Sequence, residues 1–210
     1  SDISVGLQYF GLPQGPCTKD SDCGINNAQS TFTCNVQTGQ CTECVVPPIP
    51  GFPPVCLPPG LADSCNAADY AKAEVPIAPL DAAQASLLSQ SLSKHSPSTG
   101  TPTSAALDGA LQFANGWQTG HTDHKTVVVL ATAGLPSGCD DSIPNIAQIA
   151  AAAANGAPPI STFVIGVGAD LHNLDPVAAS GGTKAAIVVD SSQQAFIDAL
   201  YDAFSRREEP

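Results

Sequence analysis

The side chains that could do chemistry are few, and most of them are sulfur. Seven cysteines (Cys17, Cys23, Cys34, Cys41, Cys44, Cys56 and Cys65) follow the spacing C-x5-C-x10-C-x6-C-x2-C-x11-C-x8-C, and an eighth, Cys139, stands far downstream. Thiols at this density either hold a soft metal or oxidise to disulfides. A zinc site needs a second CxxC or a nearby histidine pair, and Cys41-x-x-Cys44 has neither. An even number of cysteines in a Pro/Gly-rich stretch reads instead as a disulfide framework in an oxidising compartment. Eight cysteines allow about a hundred pairings, and the spacing does not choose among them. Cys139 is the one nucleophile candidate at a strand tip, and its expected fate is a disulfide to the cysteine-rich stretch.

The oxygen and nitrogen ligands are sparser. Asp140 and Asp141 follow Cys139 in a loop, where carboxylates are usually solvated. His121-x-x-His124 precedes a strand and reads as a surface turn. Asp190-Ser191-Ser192 precedes a helical pattern and reads as a cap. No Ser/His/Asp order, paired carboxylates or activated cysteine can be assembled, so an enzyme is not expected. The glycines at 166, 168, 181 and 182 do not form the GxGxxG of a dinucleotide-binding turn.

The elements that must position these residues come in two kinds. Residues 3–10 (ISVGLQYF) read as a strand, and residues 12–69 then lose all periodicity, as in VVPPIPGFPPVCLPPG. That stretch is read as an irregular, disulfide-stapled insertion. Within 70–80, AEVPIAPL fits an edge strand because of its prolines. A helix at 82–94 should turn Ala85, Leu88 and Leu92 inward. A helix from Thr101-Pro102 should turn Leu107, Leu111, Ala114 and Trp117 inward, with Ser104, Asp108 and Gln112 outward. Strands at 126–132, 161–167 and 185–190 then alternate with helices at about 144–154, 174–180 and 192–205. The inner faces expected there are Ile146, Ile149, Ala150 and Ala153, and, in the last helix, Phe196, Leu200 and Phe204. This alternation gives an α/β fold, a mostly parallel sheet with helices on both faces.

Composition narrows the partners. The 210 residues carry a formal net charge of −12 with only seven Lys and Arg. Nucleic acid and anionic membrane surfaces both require clustered cations, so neither is an expected partner. The longest apolar runs fall far short of the roughly 20 residues that span a bilayer. With no Met and a first residue Ser1, residues upstream of this sequence are expected in its precursor. The expected location is extracellular or at the cell surface.

Four segments, in order, resemble the von Willebrand factor A family. Residues 98–111 (STGTPTSAALDGAL) are similar to its GGT-x-[ST]-x-x-AL segment, and 125–139 (KTVVVLATAGLPSGC) to its VVVLITDGxP strand and loop. Residues 160–182 (ISTFVIGVGADLHNLDPVAASGG) are similar to its IGVG segment, and the last helix to its last helix. The resemblance covers 1–11 and about 70–207, which implies a von Willebrand factor A-like domain over 1–11 and 70–210 with a cysteine-rich insertion at 12–69. Stretch 18–24 (TKDSDCG) is similar to secreted bacterial members carrying such an insertion.

The family holds Mg²⁺ at a metal-ion-dependent adhesion site, through a DxSxS strand, a threonine and an aspartate. By the resemblance, Thr101 stands at the threonine and Ala133 at the aspartate, while the first strand with DxSxS is absent. Asp190-Ser191-Ser192 departs from DxSxS at Gln194 and lies at the last strand. Thr101 alone is thus a vestigial metal ligand; no cofactor is expected, and Mg²⁺ or Ca²⁺ would find poor ligands. The implied function is an adhesion-type, protein-binding module, with a rim of Thr101, Ala133, Gly134, Asp140, Asp141 and the 168–173 loop. The alternative is a structural subunit of an extracellular assembly or filament. In either case the absent strand leaves a gap of about 10 Å between 3–10 and 126–132, two strand spacings. An upstream fragment, a neighbouring subunit's strand or closure of the sheet would fill it.

Overall fold

The computed structural model describes residues 3–206 apart from 25, 27–29, 48, 58–62, 96–99, 169–170 and 191. The C-terminal part is α/β. Strands β6 (Val127–Thr132), β7 (Ser161–Val167) and β8 (Ile187–Val189) form a parallel sheet in that order. They are linked by helices α4 (Ile143–Ala154), α5 (Asp175–Ser180) and, after the last strand, α6 (Gln193–Arg206). The crossovers follow from composition: Val- and Ile-rich runs that suit buried strands alternate with Ala-rich helices. Val128, Leu130, Val164 and Val188 turn to one face, packing with Leu107, Ile146, Ala150, Leu174 and Val177 in the main core. The pleat sends Val127, Val129 and Ala131 to the other face, that of Phe163 and Ile165.

The N-terminal strand does not join this sheet. Strand β1 (Ser4–Leu7) pairs only with β5 (Val75–Pro79), antiparallel, with an irregularity between Val5 and Leu7. The expected single sheet is therefore two sheets, and β1 is shorter than the 3–10 run. Prolines explain the irregularity. Pro76 and Pro79 cannot donate to a ladder, and the buried Gln84 compensates, its Nε2 donating to Val5 O (2.7 Å) and to Pro76 O (2.8 Å).

Gln84 belongs to α2 (Ala82–Lys94), whose Asp81 cap accepts from Gln84 N at 2.9 Å. The inner face expected for α2 is not covered: Ala85 is exposed, Leu88 is half-buried and Leu92 is 59% exposed. Helix α3 (Thr103–Gly120) buries Leu107, Leu111 and Ala114 as expected, while Trp117 is half-buried. Ser104, expected outward, is buried, because the short helix α1 (Ala67–Tyr70) packs across the start of α3. Gly109 permits that crossing; a Cβ there would collide with the Ala67 carbonyl and with Tyr70. In α6 the small Ala199 and Ala203 are buried against the sheet, and Phe196 and Leu200 are only partly covered. The side chain of Phe204 lies outside the described residues.

The 12–69 stretch is more regular than its sequence suggests. It contains an antiparallel sheet of β2 (Ser30–Asn35), β3 (Gln40–Val45) and β4 (Val55–Cys56). Its core is one ring, Phe32, enclosed by Cys17, Cys23 and Cys41. Gly24 (φ 148°) lies so close that an added Cβ would meet the ring at 2.8 Å. Side chains complete the backbone pairing: Asn26 Oδ1 accepts from Phe32 N at 2.6 Å and Asp20 Oδ1 from Cys34 N at 2.7 Å.

All eight cysteines are paired, as 17–34, 23–41, 44–56 and 65–139. Cys41 and Cys44 enter different disulfides, which removes the zinc reading of that CxxC. Cys139 is bonded to the cysteine-rich stretch, as expected. Four disulfides place the chain in an oxidising compartment. Among the described residues no helix is long and apolar enough to cross a membrane.

Candidate functional site

The tip of β6 is shaped by its last side chain. Thr132 is buried, and its hydroxyl accepts from Gly134 N at 3.2 Å and donates to Gly134 O at 2.9 Å, folding the chain tightly at Ala133. The loop then runs beside the entry to α3. Ser137 N donates to Thr101 O (2.9 Å), and Thr101 N donates to Ser137 Oγ (3.1 Å). This stitch places the Thr101 hydroxyl beside the strand tip; a Cβ built on Gly134 would come within 3.6 Å of Thr101 Oγ1. Thr101, Ala133 and Gly134 are therefore brought together, with the Ala133 methyl exposed.

Two left-handed residues end the loop, Gly138 (φ 73°) and Cys139 (φ 56°). Cys139 is buried, and its bond to Cys65 spans 74 residues of sequence. Asp140 is not simply solvated. Its Oδ1 accepts from Ser142 N at 3.0 Å and its Oδ2 from Asn145 Nδ2 at 2.7 Å, so the carboxylate organises the start of α4. Asp141 is exposed. The 168–173 loop is described only in part, since Ala169 and Asp170 lie outside the described residues.

Two other sequence candidates resolve as structure. Ser192 Oγ accepts from Ala195 N (3.2 Å) in the first turn of α6, and Asp190 Oδ1 accepts from Ser192 N (2.8 Å). The Ser192 hydroxyl and amide hold the Asp190 carboxyl below its usual range. Ser191 lies outside the described residues. His121 closes α3 and stacks on Trp117 at 4.0 Å between ring centroids, and His124 tilts against the same indole at 5.4 Å. Both histidines are exposed.

Sequence reasoning missed two buried or loop residues that shape these ends. Gln118 is buried and closes the α3–β6 turn: its Oε1 accepts from Thr126 N at 2.6 Å, and its Nε2 donates to the His121 and His124 carbonyls. Asp63 brings a carboxylate from the cysteine-rich stretch against Gly100, next to Thr101; a Cβ on Gly100 would collide with it. The local signal for Gln118 was a polar residue four positions after Ala114 on the inner stripe of α3. Nothing in the sequence placed Asp63.

Among the described residues, the metal-ligand side chains grouped within reach of one another are Cys17, Cys23 and Cys41, all committed to disulfides. Chemically, the β6 tip can offer backbone groups, the Thr101 hydroxyl and an exposed Leu135 to a partner. Comparison with protein-family models and with curated sequences finds no match.

Proposed function

We propose that the chain is an extracellular, protein-binding module of the von Willebrand factor A type whose adhesion-site metal chemistry is lost. The observation that carries this reading is the convergence of Thr101 with the Ala133–Gly134 tip. A hydroxyl and a methyl group meet where a hard dication would need anionic oxygen. The alternation of parallel strands β6, β7 and β8 with helices α4, α5 and α6 supports it too. The working surface is the rim of Thr101, Ala133, Gly134, Leu135 and Asp141. Cys65–Cys139 fastens the cysteine-rich stretch to that rim, so both present one surface.

The test is affinity capture from an extracellular fraction of the source organism, with and without EDTA, using the intact chain and the double variant Leu135→Arg/Asp141→Arg. The expected result is a protein partner retained equally in EDTA and lost by the rim variant. Loss of the partner in EDTA would show a working metal site. Undiminished capture by the rim variant would place the binding surface elsewhere.

A further inference from the structure

A cavity of about 1000 Å³ lies between the β1–β5 sheet and the β6–β7–β8 sheet. Its long sides are β1 and β6. Each of these strands is an edge, because β1 pairs only with β5 and β6 only with β7. No β-pairing among the described residues joins them. Along an edge strand, alternate N–H and C=O groups point outward, so two unfilled ladders face the cavity. Apolar side chains also line it, Leu107, Phe113 and Trp117 from α3, Leu88 and Leu92 from α2, and Leu200 from α6. Charged groups line only the end near Asp123 and Lys125.

Burial along the groove is incomplete. Val127, Val128 and Val129 form a run suited to a strand covered on both faces, yet all three are half-buried, as is every residue of β1. Leu92, on the expected inner face of α2, is 59% exposed.

We propose that this groove is a strand acceptor. Its occupant is one extended polypeptide segment of about six residues, apolar on both faces and free of proline, contributed from outside residues 1–210. It pairs with β1 on one side and β6 on the other, giving one six-stranded sheet in the order β5, β1, occupant, β6, β7, β8. Its length follows β6, which has six residues. A fatty acyl chain would fill the volume but leave both ladders unpaired in apolar surroundings, which backbone groups avoid. A second copy of the chain is a poor donor. Its Val/Ile-rich strands are already paired, and its remaining apolar run, residues 45–57, is broken by prolines that cannot enter a central strand. Each copy also carries a net charge of −12, so a segment with neutral or basic flanks fits better than another acidic chain.

Trp117 is the single tryptophan of the sequence and lines the groove, so its fluorescence reads occupancy directly. Native mass spectrometry comes first, and any polypeptide carried by the purified chain is removed with mild denaturant before titration. The probe is a synthetic peptide of about eight residues, alternating Val and Ile between terminal lysines. Controls are the same peptide with prolines at alternate positions, and palmitate. The expected result is a saturable blue shift, a raised Tm, and hydrogen-exchange protection at both Ser4–Leu7 and Val127–Ala131, with the Val/Ile peptide alone. Leu92→Glu changes a residue exposed in the free chain; it should leave folding intact and weaken the peptide about tenfold. The proposal is overturned if the Val/Ile peptide protects neither edge, or if palmitate reproduces its shift and stabilisation. It is equally overturned if the chain without peptide sediments as a dimer with both edges already protected.

Discussion

Tyr70 shows how one side chain can govern a junction. It is fully buried between α1 and α3, and its hydroxyl donates to Ser64 O at 2.8 Å. Desolvation is the main cause that pushes its phenol well above the usual range. A raised folded-state pKa means that the fold binds the phenolic proton more tightly than the unfolded chain does. The associated stability is complete below about pH 10 and is lost as pH rises above it. Tyr70→Phe keeps the ring and removes both effects. The expected outcome is a loss of about 1 kcal/mol near neutral pH and a shallower decline of stability above about pH 10. Urea unfolding followed across that range checks both. Asp140 belongs to the same scale. Its carboxylate is spent on Ser142 N and the Asn145 side chain, so a residue that resembled a spare ligand braces the loop leading into α4.

At the scale of elements, β1 and β5 form a weak pair held by a helix side chain. Pro76 removes a ladder donor from β5 at the register shift, and Gln84 of α2 bridges the two strands by donating to Val5 O and Pro76 O. Gln84→Leu is of similar size but removes both hydrogen bonds. It should destabilise the protein by about 2–3 kcal/mol, with the β1 amides losing exchange protection before those of β7. Uniform loss of protection across β1 and β7 would show that the two sheets unfold as one unit. The cysteine-rich stretch illustrates the opposite balance. Its one-ring core around Phe32 buries little, and four of its cysteines hold that core closed.

For the whole molecule, the long-range tether is Cys65–Cys139, across 74 residues. It fixes the cysteine-rich stretch, and with it Asp63, against the β6 tip. Closing a loop of that length restricts the unfolded chain substantially. The double variant Cys65→Ser/Cys139→Ser should therefore lose about 4 kcal/mol, measured by chemical denaturation. It should also weaken rim binding if the cysteine-rich stretch contributes to that surface. Unchanged stability would mean that packing of α1 on α3 alone holds the junction.

What could be read from the sequence was whatever depends on neighbours along the chain. Apolar periodicity, caps and prolines set α2, α3, the alternating strands β6 to β8 and their helices, and the even cysteine count implied a disulfide framework. The sequence also marked Ala133 as a strand tip without a ligand, and by resemblance it raised a gap beside β6. Tertiary structure alone decided matters that join distant residues: which cysteines pair, that Gln84 and Gln118 replace missing backbone partners, and that Asp63 meets Gly100. It also decided that β1 and β6 remain edges with a cavity between them rather than closing on each other. The physical reason is that periodicity specifies which face of an element is apolar, but not what lies against it. The exposed Leu92 and half-buried Val127–Val129 carry the pattern of a core whose other half these residues do not supply.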